Sequence, residues 1–219
     1  EANSLTDLLE ERARAFPDRT CVSDAQGRLS YRQVDRLASA VAVRLLDRGL
    51  KPRDIVLFQL PNIREFIIVF FALQKIGVIP VMCLPPHRSR ELTYFAQLTG
   101  AKAYIFPQRF RNFDYLPMAK EIQSTTPTLQ YLLTTGDGTE NGLSYLGPWI
   151  EEQARAVDAA NVLAPHRPDP FEVAFFSLSG GTTGIPKLIP RTHADYICNA
   201  KACAQVLGWG VDTVFMIAL

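Results

Sequence analysis

Short apolar runs alternate with stretches of helical periodicity along most of this chain, and that alternation constrains its fold more than any other feature. Ile55-Val56-Leu57-Phe58, Val78-Ile79-Pro80-Val81-Met82, Ala103-Tyr104-Ile105-Phe106, Leu129 to Leu133 and Val173-Ala174-Phe175-Phe176 are all nearly continuous in apolar residues. A strand covered on one face alternates apolar with polar positions, whereas a strand covered on both has no reason to. Between these runs lie helical patterns. Ser4 caps a helix whose Leu5, Leu8, Leu9 and Ala13 share one face, with Pro17 beyond its end, and Ser30 caps a second, with Leu37, Val41 and Leu45 buried and Gly49 as its stop. Phe66 to Ile76, ending at Gly77, then Ser89 to Leu98, Tyr115 to Gln123, Leu146 to Val157 and His193 to Val206 complete the set. Thr20-Cys21-Val22-Ser23 and a return strand from Leu29 frame a turn at Ala25-Gln26-Gly27-Arg28. Strands and helices of these lengths in alternation build βαβ units, so the expected fold is α/β, a largely parallel sheet flanked by helices on both faces. Gly136 to Gly142 reads as a surface loop, and the proline-bearing connector from Ala164 to Pro170 divides the chain into an N-terminal α/β subdomain, 1–165, and the start of a second, 166–219.

Composition excludes several classes of function. The formal net charge of +1 offers no electrostatic footprint for nucleic acid. The longest apolar run, Phe66 to Leu73, is far short of the roughly 20 residues that span a bilayer. The opening residues, Glu1-Ala2-Asn3-Ser4, lack the basic start and apolar centre of a secretory leader. Cys21, Cys83, Cys198 and Cys203 are scattered, and His87, His166 and His193 stand at no metal-ligand spacing with them or with one another, so no metal site is expected. The cysteines read as reduced structural thiols in a cytoplasmic protein.

The segment that carries chemistry follows the last apolar strand: Ser177-Leu178-Ser179-Gly180-Gly181-Thr182-Thr183-Gly184-Ile185-Pro186-Lys187. Such a loop can turn several backbone N–H groups toward one anion, because glycine permits close approach, while the threonine hydroxyls add donors and Lys187 adds a positive charge. Two familiar phosphate motifs do not match. A Walker loop needs Gly-Lys-Ser/Thr running into a helix, but here Pro186 precedes the lysine and Leu188-Ile189-Pro190 continues it as an extended stretch; the dinucleotide fingerprint is also absent. On residue types alone, a glycine-rich turn without a ligand is an open alternative.

Ser179 to Lys187 resembles the S/T-S/G-G-T-T-G-x-P-K signature of the acyl-adenylate-forming enzymes, which include acyl-CoA ligases, luciferases and peptide-synthetase adenylation domains. Gly180 stands where most of that superfamily has serine. The continuation Leu188-Ile189-Pro190-Arg191-Thr192-His193-Ala194-Asp195-Tyr196 looks like the stand-alone aryl-acid branch, the 2,3-dihydroxybenzoate and salicylate adenylating enzymes of siderophore assembly. Leu29-Ser30-Tyr31, Gln59-Leu60-Pro61-Asn62 and Leu84-Pro85-Pro86-His87-Arg88-Ser89-Arg90-Glu91-Leu92 are similar to the same branch, so the resemblance covers nearly the whole chain.

The resemblance implies two half-reactions. An aryl carboxylate attacks the α-phosphorus of Mg-ATP to give aryl-AMP and pyrophosphate, and the phosphopantetheine thiol of an aryl carrier protein then takes the aryl group. It also implies that Ser179, Gly180, Gly181, Thr182, Thr183, Gly184 and Lys187 hold the β- and γ-phosphates, with Lys187 in the catalytic role of neutralising the departing charge. The branch's aryl-pocket His-Asn motif and its adenine, ribose and magnesium residues have no counterpart in these 219 residues. The chain is therefore expected to be an N-terminal part that neither adenylates nor binds aryl acid well alone. The alternatives are an acyl- or aryl-CoA ligase and a non-catalytic nucleotide-binding relative. Of the other polar residues, His193 reads equally as a structural cap or a ligand contact, His87 and Arg88 as structural or solvated, and Arg64-Glu65 as a surface pair; Phe66, Phe70 and Phe71 read as core.

Overall fold

The computed structural model describes residues 3–136, 138–151, 159–180, 184 and 186–217. Helix α1 (Leu5–Ala15) begins with a capping box in which Ser4 Oγ accepts from the Asp7 N–H and the Asp7 carboxylate accepts from the Ser4 N–H at 2.7 Å. Strands β1 (Thr20–Asp24) and β2 (Gly27–Ser30) form an antiparallel hairpin. Ser30 and Gln33 then make a second capping box at the start of α2 (Tyr31–Asp47), and Gly49, at φ +100°, turns the chain out of it. The chain continues through β3 (Ile55–Phe58), α3 (Arg64–Lys75), β4 (Ile79–Met82), α4 (Ser89–Thr99) and β5 (Ala103–Phe106). A small hairpin of β6 (Arg109–Phe110) and β7 (Phe113–Asp114) precedes α5 (Leu116–Thr125), β8 (Tyr131–Thr134), β9 (Leu143–Tyr145) and α6 (Leu146–Glu151). After α7 (Ala159–Leu163) and a 3-10 turn at Ala164–His166 come β10 (Val173–Leu178), β11 (Leu188–Thr192) and α8 (His193–Val206).

Seven strands form one sheet in the order β11-β10-β4-β3-β5-β8-β9, and every neighbouring pair is parallel except β10 with β11. The expected α/β architecture is the one observed. Successive residues of each buried strand feed opposite layers, as the two-residue pleat requires. Val56, Phe58, Ala103, Ile105 and Leu133 join the layer under α2, α3, α6 and α7, while Leu57, Tyr104, Phe106 and Leu132 join the layer under α4 and α5. Both faces are therefore apolar, which is why these runs do not alternate. The sheet runs through the connector near residue 165, since β10 lies beside β4.

Two details differ from the sequence reading, and a third is described only in part. Arg64 does not pair with Glu65; its guanidinium grips the Asp24 carboxylate at the β1–β2 turn, both side chains being largely buried, because adjacent residues on a helix do not face each other. Of the helix expected over 146–157, α6 covers Leu146–Glu151, and residues 152–158 lie outside the described ones. Cys83 is buried, but Cys198 and Cys203 are exposed on α8 rather than structural. Phe66, Phe70 and Phe71 pack against the core as expected, with Phe70 edge-on to Phe175 of β10 at 5.9 Å between ring centroids. No helix among the described residues is long and apolar enough to cross a membrane.

Candidate active-site loop

The glycine-rich segment connects β10 to β11, so it is the loop of an antiparallel hairpin rather than a strand-to-helix turn. The last ladder pair is Leu178 opposite Leu188. Beyond it the Ser179 N–H donates to the Lys187 carbonyl at 3.0 Å, and the Lys187 N–H donates to Ser179 Oγ at 2.9 Å. The first and last residues of the expected phosphate-binding set are thereby stitched together. The Ser179 hydroxyl retains its own proton for donation, and the exposed Lys187 ammonium meets no carboxylate among the described residues. Gly180 and Gly184 are exposed, and a Cβ at either would find nothing within 4 Å. Gly180 has no positive φ, so serine fits there as well as glycine does. Gly181, Thr182 and Thr183 lie outside the described residues.

β11 is an edge strand, which is where Pro190 can sit without breaking a ladder. Its end is fixed from below. Thr192 Oγ1 caps α8 by accepting from the Asp195 N–H at 3.1 Å. His193 is 1% exposed; its Nδ1 accepts from the Leu5 N–H at 3.3 Å, and its own N–H donates to the Glu172 carbonyl. Burial pushes its pKa down to about 4, so the ring is neutral and ties the start of α1 to the start of α8. Of the two readings of His193, the structure supports the structural one.

His87 and Arg88 also serve the fold. His87 Nδ1 accepts from the Leu84 N–H at 3.1 Å, and Arg88 lies 4.0 Å above the Phe113 ring while donating to the Pro85 and His87 carbonyls. A cavity of about 510 Å³ lies between α1, α2 and α7, but none of its lining residues belongs to the hairpin loop. Its charges answer one another: Lys75 bridges Glu10 and Asp35, and Arg167 pairs with Asp7 and Glu10. No group of three or more His, Cys, Asp or Glu side chains converges among the described residues.

The parallel sheet, the hairpin loop and its signature define a class, and residues 9–219 match the AMP-binding enzyme family; the chain belongs to it. It is 40% identical to the salicyl-AMP ligase / salicyl-S-ArCP synthetase of Mycobacterium tuberculosis, over 99% of this chain and 38% of that protein. It is 40% identical to the 2,3-dihydroxybenzoate-AMP ligase of Bacillus subtilis, over 97% of this chain and 38% of that one. The apo structure of Mycobacterium smegmatis MbtA superposes with a TM-score of 0.84 at 39% identity, covering 100% of this chain and 39% of that one. The chain thus spans under two fifths of the length of these relatives.

Proposed function

We propose that this chain is the part of an aryl-acid adenylating enzyme that carries its phosphate-binding loop. The observation that carries the reading is the signature from Ser179 to Lys187 set on a stitched hairpin whose Lys187 ammonium, Gly180 and Gly184 stand open. Two relatives at 40% identity that are named for salicylate and 2,3-dihydroxybenzoate support the aryl acid.

Enzymes of the AMP-binding family use ATP and Mg²⁺. The donor set here fits a polyphosphate: Lys187 supplies charge, Ser179 a hydroxyl, and Gly180 and Gly184 room for close approach. When bound, magnesium supplies charge neutralisation between the phosphates. Ser179, Gly180, Gly181, Thr182, Thr183, Gly184 and Lys187 seat the β- and γ-phosphates. Lys187 stabilises the charge that gathers on pyrophosphate as the aryl carboxylate attacks the α-phosphorus. The aryl group then passes to the phosphopantetheine thiol of an aryl carrier protein, as siderophore assembly requires, in the cytoplasm.

ATP–pyrophosphate exchange by the full gene product tests this, with 2,3-dihydroxybenzoate, salicylate, benzoate, a fatty acid and amino acids as the panel. Exchange is expected with the hydroxybenzoates, and Lys187→Ala lowers its kcat/KM about a hundredfold, the usual loss when one charge-stabilising donor is removed. Exchange with fatty or amino acids alone would retain the family and overturn the aryl reading. Thioester formation on coenzyme A but not on a carrier protein would move the assignment to an aryl-CoA ligase.

A further inference from the structure

Two of the stretches left unused by the loop chemistry, Gln59-Leu60-Pro61-Asn62 and Leu84-Pro85-Pro86-His87-Arg88, meet at the carboxyl end of the sheet. Gln59 follows β3 directly and is 0% exposed. Its Nε2 donates to the Leu84 carbonyl at 2.7 Å and to the His87 carbonyl at 3.1 Å, and its Oε1 accepts from the Tyr104 hydroxyl on β5. Burial raises the pKa of Tyr104 well above that of an ordinary tyrosine, so the hydroxyl keeps its proton for this bond. The other side of the same loop is held by Arg88, by His87 and by the Tyr115 hydroxyl, which donates to the Pro85 carbonyl at 2.9 Å. A buried amide is costly unless each of its groups is bonded. Here both ends are used, and what they fix is a loop rather than a strand or helix.

This loop has a definite neighbour. β4 leads into it, β10 leads into the glycine-rich loop, and the two strands are adjacent and parallel with Val81 opposite Phe176. Cys83, just past the end of β4, and Leu178, the last residue of β10, pack into the same core layer. Both loops therefore leave the same end of the sheet side by side.

We propose that Gln59 is a positioning residue: through the Leu84 and His87 carbonyls it holds the Leu84–Arg88 loop as a fixed wall beside the glycine-rich loop, against which the phosphates of the nucleotide are seated. The inference rests on the nucleotide reading above. A wall fixed before binding removes the ordering cost from the bound state, so its loss falls on affinity rather than on the chemical step.

Gln59→Glu keeps the shape and the acceptor and removes both donors. Hydrogen exchange across Leu84–Arg88 and steady-state pyrophosphate exchange are measured on the full gene product, with Ile122→Val in the core under α5 as a control for simple loss of stability. The expected result is faster hydrogen exchange in the loop and a KM for ATP raised about tenfold with kcat within about twofold, while Ile122→Val lowers the melting temperature and leaves that KM alone. An active wild type whose KM for ATP is unmoved by Gln59→Glu, or a loop whose hydrogen exchange does not change, overturns the wall. A wild type with no ATP-dependent exchange for any acid overturns the nucleotide reading itself, and the wall's role with it.

Discussion

His193 makes the stability of this chain depend on pH in a way that can be worked through. Its pKa falls from 6.5 to about 4 because burial disfavours the charged ring. The folded state thus refuses a proton that the unfolded state accepts between those values. The contribution is nil above the unfolded pKa and grows unfavourable as pH falls through 6.5 toward 4. From these two values, protonation of the unfolded chain lowers stability by about 2 kcal/mol at pH 5 and by only about 0.2 kcal/mol at pH 7. Half-buried His87, also shifted down by desolvation, adds in the same direction. The carboxylates whose pKa values are lowered, Asp7 and Glu10 among them, start from 3.8 and 4.5, so they weaken the fold only at more acid pH. His193→Asn places an amide oxygen near the position of Nδ1, where it can accept from the Leu5 N–H, and removes the titration. Urea unfolding of the 219-residue chain, followed by far-ultraviolet circular dichroism at pH 7 and pH 5, reads the difference. The wild type is expected to lose about 2 kcal/mol more than His193→Asn over that interval. Equal losses in the two proteins would refute the argument and mean that His193 protonates in place.

Two further outcomes follow from the packing. Lys75→Ala leaves Asp35 without its buried cation and Glu10 with Arg167 alone, and is expected to destabilise the chain by about 3 kcal/mol, read as a lower urea midpoint. Gly180→Ser, which restores the residue most of the superfamily carries, meets open space without a left-handed backbone. Its melting temperature should match that of the wild type, the change in stability staying within about 0.5 kcal/mol.

The strands and helices legible in the sequence are those whose burial leaves a periodic trace. Ser30 and Gly49 bracket α2, and α8 runs from His193 to Val206 as its pattern indicates. Elements missing from that reading are too short to carry a period: β6 and β7 have two residues each, and β9 is Leu143-Ser144-Tyr145, whose central residue breaks the apolar run. Within the site, residue types marked Ser179 and Lys187, but nothing local discloses that they bond each other across the loop. The partners of Arg64, His193 and Gln59 are equally unreadable, because Asp24, Leu5 and Leu84 reach them through chain topology over separations of 40, 188 and 25 residues.

The place of the loop also explains its composition. In parallel sheets a ligand commonly sits where the strand order reverses, here between β3 and β5, because α3 carries the chain to β4 on one side and α4 returns it past β3 to the other. In this chain that point is filled. Gln59, directly after β3, and Tyr104 on β5 close it with their hydrogen bond. On the proposed reading the anion chemistry falls instead to the β10–β11 hairpin beside β4, and an edge hairpin brings no helix N-terminus with it. After Lys187 the backbone stays extended through Thr192 before α8 begins, so no aligned peptide dipole points at the loop from that side. Under the proposed function, backbone amides, hydroxyls and one ammonium would supply what a helix dipole supplies in a Walker loop. The hairpin's other cation, Arg191 on β11, is tied to Asp195 of α8, which leaves Lys187 to supply the charge.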